Sequence, residues 1–219
     1  MRHCLMTLQN QAQQLNVVVD NALLAPTDEN CERLRQLARA SAPPGLLAER
    51  IRRCTTLLAK QRNYDRTALL HLRDELILIV YAAVVPKGWI CGWADGASFK
   101  TDGHRQAGIG GLLVDSSGTV IERIIRLIGE ESAFAAELAA LIAVMQCVTE
   151  RQQKRLWLYT DNWGLVQLWN EHRDDNRLNE LRRLAASLEK FTLRAIPRLH
   201  NQPANALARA AARTSASPG

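Results

Sequence analysis

The rhythm of apolar and polar positions changes near residue 87. Before it the spacing is helical. Thr27 or Asp28 stands where a helix cap is needed, ahead of Cys31, Leu34, Leu37 and Ala38 at helical intervals. Ser41-Ala42-Pro43-Pro44-Gly45 breaks the pattern. Two further helices are predicted over about Leu46–Gln61 and Asp65–Val84. The second is apolar almost all round its C-terminal half, so it needs cover from the rest of the protein or from another copy. Pro86-Lys87-Gly88 closes the region.

After Gly88 the pattern alternates. Trp89, Cys91, Trp93 and Asp95 fall on one face of a strand. A polar loop (Ser98–Gln106) leads to a second strand, Ala107–Val114. Asp115-Ser116-Ser117-Gly118 reads as a hairpin turn into a third strand, Thr119–Leu127. A helix over 132–149, a strand at Leu156–Thr160, helices at Trp163–Glu171 and Asn176–Glu189, a strand at Phe191–Ile196 and a helix at Pro203–Arg213 follow. The order β-β-β-α-β-α-α-β-α predicts an α/β fold. Its mixed five-stranded sheet has three antiparallel strands, then two parallel ones, with flanking helices and a small all-α domain in front. The predicted domains are residues 1–86 (helical) and 88–213 (α/β), with a small polar tail, 214–219, expected to be disordered.

Composition narrows the class of function. The 219 residues leave room for one domain of usual size and a smaller one. A net charge of +6 suits a polyanionic partner, without any long Lys/Arg block. The five cysteines are odd in number and scattered without a C-x-x-C pair, which excludes a disulfide scaffold or a zinc site and implies reduced thiols in the cytoplasm. The N-terminus turns polar at once, without a secretory signal, and the ten-residue apolar run Leu76–Val85 is too short to span a bilayer, so no membrane partner is expected.

Three carboxylates fit poorly as packing. Glu137 lies beside the stripe Leu138, Leu141, Ile142, Met145 and Val148, which should meet the sheet. Asp95 shares its strand face with Trp and Cys. Asp161 sits just past the strand Leu156–Thr160, on the rim where sheets present functional groups. Taken singly, Asp95 starts a turn with Gly96, Glu137 pairs with an arginine, and Asp161 caps the next helix. Were they to converge, two full charges about 5 Å apart would cost on the order of 3 kcal/mol at an effective dielectric of about 20. Such a site needs protons or a hard cation, Mg²⁺ or Mn²⁺.

Five separated motifs in residues 89–213 resemble the type I ribonuclease H family, in its compact bacterial and plant-like, reverse-transcriptase-associated form. They are Ala94-Asp95-Gly96-Ala97-Ser98, Ala107-Gly108-Ile109-Gly110, Ala136-Glu137-Leu138-Ala139-Ala140-Leu141, Tyr159-Thr160-Asp161-Asn162, and Ile196-Pro197-Arg198-Leu199-His200-Asn201-Gln202-Pro203-Ala204-Asn205-Ala206-Leu207-Ala208. Each is weak alone; their order and spacing make the signal strong. The resemblance implies a ribonuclease-H-like fold and an endonuclease using two Mg²⁺ or Mn²⁺ ions. It would cut the RNA strand of RNA–DNA hybrids and leave 5′-phosphate and 3′-hydroxyl ends. By analogy Asp95 bridges both ions, Glu137 and Asp161 hold the one near the leaving oxygen, and Asn205 helps hold the other. Gly96, Ser98, Asn162, Arg198 and Asn201 become substrate-binding candidates. His200 has two readings: proton transfer or product release, or a surface histidine on a loop.

The chain departs from the pattern in three places. The fourth acid is the amide Asn205, which weakens metal affinity. Phe134 stands where the family has Asn, removing a nucleotide contact. The basic protrusion of longer members is missing from 171–190. Two further readings therefore stay open: a weakened or inactive module that binds nucleic acid or protein, and a DNA-directed transposase, integrase or resolvase relative. The N-terminal helices are expected to bind substrate, a protein partner or a second copy.

Overall fold

A computed structural model describes residues 16–40, 43–61, 64–101, 104–171 and 175–214. Cys4, Ser41-Ala42, Asp174 and the tail beyond Thr214 lie outside the described residues. The chain divides into two compact units, residues 1–84 with 117–119, and residues 85–116 with 120–219.

The first unit is helical. A helix over residues 16–24 (α1), which the sequence pattern did not reveal, precedes α2 (Asp28–Ala40), α3 (Pro44–Leu58) and α4 (Arg66–Ala82). Caps set the ends: the Thr27 hydroxyl accepts from the Asn30 amide at 3.3 Å, and Asp65 accepts from Thr67 and Ala68. Leu34, Leu47, Ile51 and Ile77 are buried. Every residue from Leu76 to Ala82 is buried within the single chain.

The second unit carries a five-stranded sheet in the order β3-β2-β1-β4-β5. Its strands are β1 (Ile90–Thr101), β2 (His104–Val114), β3 (Val120–Gly129), β4 (Arg155–Thr160) and β5 (Lys190–Ala195). The first three pair antiparallel, and β4 and β5 join in parallel. Helices α5 (Ala133–Glu150), α6 (Trp163–Asn170), α7 (Asn179–Ala186) and α8 (Gln202–Arg213) follow the expected order, with short 3-10 turns at Asn176–Leu178 and Arg198–His200.

Two features differ from the sequence pattern. The expected polar loop over Ser98–Gln106 is instead the end of a long hairpin: β1 runs to Thr101 and pairs through Phe99↔Gln106 and Lys100↔Arg105. Ladder hydrogen bonds continue past the core, where side chains turn polar. The buried face of α5 is also rotated towards small residues. Ala136, Ala140, Leu141, Ala143, Val144, Met145 and Val148 are buried, whereas Leu138 and Ile142 are only partly so. Glycines in the sheet explain this. A Cβ on Gly96 would lie 2.2 Å from the backbone of Ala136 and Glu137, so β1 and α5 touch backbone to backbone.

The opposite face uses the same device. Gly110 stands directly across from Asp95 in the ladder. A Cβ there would lie 2.3 Å from the Ala204 carbonyl oxygen and the Ala208 nitrogen. Small residues on both sides thus let α8 lie flat on β2 and bring its first turn to Asp95. Gly110→Ala is expected to lose about 1–3 kcal/mol of stability in chemical denaturation, because backbone rather than a flexible side chain must move.

Candidate metal centre

The middle of β1, the end of β4 and the first turns of α5 and α8 meet at one point of the second unit. Asp95 is carried by the centre of β1. The Ser132 hydroxyl caps α5 by accepting from the Ala135 amide at 3.1 Å, which places Glu137 one turn into the helix. Asp161 follows β4 directly, before Asn162 caps α6 by accepting from the Leu165 amide. The carboxylates of Asp95, Glu137 and Asp161 each bring one oxygen within 4.8 Å of the others.

Two amides close the cluster. Asn201, completely buried, donates from Nδ2 to the Ala94 carbonyl at 3.0 Å and to Asp161 Oδ1 at 2.7 Å, and it reaches Asp95 Oδ1 at 3.5 Å. Asn205 donates from Nδ2 to Asp95 Oδ2 at 2.9 Å. The nitrogen faces Asp95 because a carboxylate oxygen only accepts. Both oxygens of Asp95 are thus approached by amide N–H groups.

The electrostatics are strained in the absence of a cation. Burial, the charge of Glu137 and the contact with Asp161 push Asp95 up to about 9, against the Asn205 amide that favours its anion. Burial and the charge of Asp161 push Glu137 up to about 7, opposed by the Gly96 amide and Arg198. Glu137 Oε2 is buried with no hydrogen-bond partner. An unsatisfied buried carboxylate oxygen on a member of this acidic cluster fits a divalent cation, and hard oxygen donors suit Mg²⁺ or Mn²⁺.

The raised values fix a pH dependence. Asp95 and Glu137 titrate above their ordinary 3.8 and 4.5, so their contribution to stability is full below about pH 4. It is lost as pH rises through about 7 and then about 9. In EDTA the melting temperature is expected to fall between about pH 5 and about pH 9. Added Mg²⁺ should restore it most at the alkaline end, and a flat profile would refute the coupling.

The other candidates are spread around this centre. Gly96 forms the close contact with α5 and donates its amide to Glu137. The Ser98 hydroxyl donates to the Glu131 carbonyl at 2.8 Å, tying β1 to the start of α5. Arg198 is exposed and near enough to favour the Glu137 anion. Asn201 is turned inward to the carboxylates rather than outward. His200 is 3% exposed, which corrects the reading of it as a surface histidine. Phe134 packs on the core, and the Arg177 guanidinium lies 4.5 Å from its ring centroid.

Trp163 is not among the site residues that the sequence predicts. It is 65% exposed and begins α6 two residues after Asp161. Its only signal was position, since a tryptophan beside an apolar run reads as core.

Residues 94–211, more than half of the chain, match the reverse transcriptase-like family. The chain belongs to this ribonuclease-H-like family. Its structure is similar to RNase H1 of the halophilic archaeon Halobacterium salinarum NRC-1, with 25% identity and a TM-score of 0.51 over 56% of this chain and 96% of that one. It is also similar to LC11-RNase H1, isolated from compost and solved with an RNA/DNA hybrid (20% identity, TM-score 0.51, 56% and 96% covered). A third similar structure is the foamy viral protease-reverse transcriptase in complex with dsDNA (14%, 0.53, 60% and 99%). At those identities the last two show the fold alone. No curated protein matches the chain. The ribonuclease-H-like sheet and its acidic cluster support a nuclease-type hydrolase that acts on nucleic acid.

Proposed function

We propose that the chain is a metal-dependent endonuclease that cuts the RNA strand of RNA–DNA hybrids, leaving 5′-phosphate and 3′-hydroxyl ends. The observation that carries this reading is the convergence of Asp95, Glu137 and Asp161 within 4.8 Å. Two Mg²⁺ or Mn²⁺ ions, when bound, would activate a water and offset charge on the phosphate. Asp95, Glu137 and Asp161 would hold them, with Asn205 joining through Oδ1 once its amide turns. Asn201 fixes the carboxylates of Asp161 and Asp95, which lowers the cost of organising the site. Arg198 and Asn162 are candidates to orient the phosphate, with Gly96 and Ser98 shaping the adjoining surface. The exposed indole of Trp163 offers a flat apolar face to a sugar or base. Any proton transfer or product-release role for His200 would be exercised from a buried position.

Asn205 and Phe134 favour a second reading, a binding module that has lost its chemistry. Labelled RNA–DNA hybrid incubated in Mg²⁺ and in Mn²⁺ separates the two. RNA-strand cutting supports the nuclease, and tight binding without cutting in either metal supports the module. We assign the helical unit a role in substrate binding, protein binding or self-association, and the protein to the cytoplasm. Gel filtration and hybrid binding with and without residues 1–86 test the assignment to the helical unit.

A further inference from the structure

Beyond the carboxylates, α8 continues as a charged stripe. Arg209 and Arg213 follow Asn205 at intervals of four and eight residues, so they lie on nearly the same side of the helix. Both are exposed, and both guanidinium groups sit over one ring, that of Phe99 on β1, at 5.4 and 5.5 Å from its centroid. Beneath them Ala97, Ala208 and Ala212 form a small apolar cluster that fixes the helix to the strand. The ribbon adds Lys100 and Arg105, exposed and paired across β1 and β2 on the other face of the hairpin.

These pairings are unfavourable on their own. Like charges four residues apart on a helix repel, as do like charges directly opposite in a ladder. Several other exposed arginines have acidic partners: Arg151 with Glu122, Arg155 with Glu189, Arg177 with Asp175, Arg183 with Glu180. Arg209 and Arg213 have no ion pair among the described residues. The helix dipole accounts for one cation in the last turn, but not for a second one on the same ring.

The spacing suits a strand that starts at the carboxylates. At about 1.5 Å per residue, Arg209 and Arg213 lie roughly 6 and 12 Å along α8 from Asn205. A duplex advances about 3.4 Å per nucleotide, so the stripe spans about two to four nucleotides from the scissile position. We propose that Phe99, Arg209 and Arg213 form a grip for the phosphodiester backbone of the bound nucleic acid, with Lys100 and Arg105 adding to its field. The ring holds both guanidinium groups in place while their N–H edges stay free for phosphate oxygens. The grip rests on the nucleic-acid reading above.

The test is binding of a fluorescein-labelled RNA–DNA hybrid to the full chain in Ca²⁺, across a salt series, for the unaltered protein and Arg209→Gln/Arg213→Gln. Two lost phosphate contacts should reduce the slope of log affinity against log salt by about 1.8. The affinity lost between about 50 and about 200 mM salt should then shrink roughly tenfold. Arg123→Gln/Arg126→Gln on β3, with the same change in net charge, should bind like the unaltered protein. Circular dichroism melting checks that each variant is folded. Arg209→Lys/Arg213→Lys should keep most of the slope. The grip is overturned if the α8 double variant keeps the parent slope and affinity, if the β3 pair loses as much, or if the unaltered chain does not bind. Cutting of the hybrid by the unaltered chain is read separately. A failed grip with cutting intact leaves the nuclease standing, and a sound grip without cutting removes only the chemistry.

Discussion

Asp95→Asn is expected to abolish hybrid cleavage while making the metal-free protein more stable. Asp95 is 1% exposed and sits at the meeting point of Glu137, Asp161, Asn201 and Asn205. Replacing one oxygen with nitrogen keeps its size but removes the charge that a cation needs. The loss should be about a thousandfold or more, equivalent to at least about 4 kcal/mol of transition-state stabilisation. Stability should move the other way. A buried carboxyl held up to about 9 resists ionisation, and an amide never ionises. In EDTA the variant should therefore melt above the parent, by a margin that grows with pH as unfolding favours the ionised aspartate. Loss of both activity and stability would point to a structural aspartate. Retained cleavage would remove Asp95 from the chemistry.

Much of this centre was legible in the sequence because strand and helix periodicities are local. Alternation in β1 gave Asp95 an improbable face, and α5 carried Glu137 beside its apolar stripe. The long-range part was less legible. Nothing in the spacing told which residues of α5 would touch the sheet. That was decided by Gly96, whose missing side chain admits the helix backbone. The sequence pattern predicts a loop at the end of the hairpin because Ser98, Lys100, Arg105 and Gln106 are polar, yet backbone pairing does not require apolar side chains. The motif implies for Asn201 only a substrate-binding role. Its position inside the cluster depends on α8 settling against Gly108 and Gly110, a contact between segments nearly a hundred residues apart.

The amide at Asn205 is the chain's sharpest departure from an acidic site, and Asn205→Asp should change it in two opposite directions. Nδ2 now donates to Asp95 Oδ2 at 2.9 Å, within a group only 6% exposed. A carboxylate there would replace a donor with a fourth acceptor against a buried acid. Without metal, loss of the Nδ2 hydrogen bond and burial of a further ionisable carboxyl should cost about 1–3 kcal/mol, seen as a lower melting temperature in EDTA. With Mg²⁺ the same change supplies a charged ligand in place of a neutral carbonyl. Metal affinity should rise roughly tenfold or more in calorimetric titration, and cleavage should reach its plateau at lower Mg²⁺. The two signs together are diagnostic. A variant that only loses stability would make Asn205 a structural partner of Asp95. One that gains metal affinity without losing metal-free stability would mean that the amide does not contact Asp95 in solution. No change in either would take residue 205 out of the metal centre, leaving Asp95, Glu137 and Asp161 to hold the cations alone.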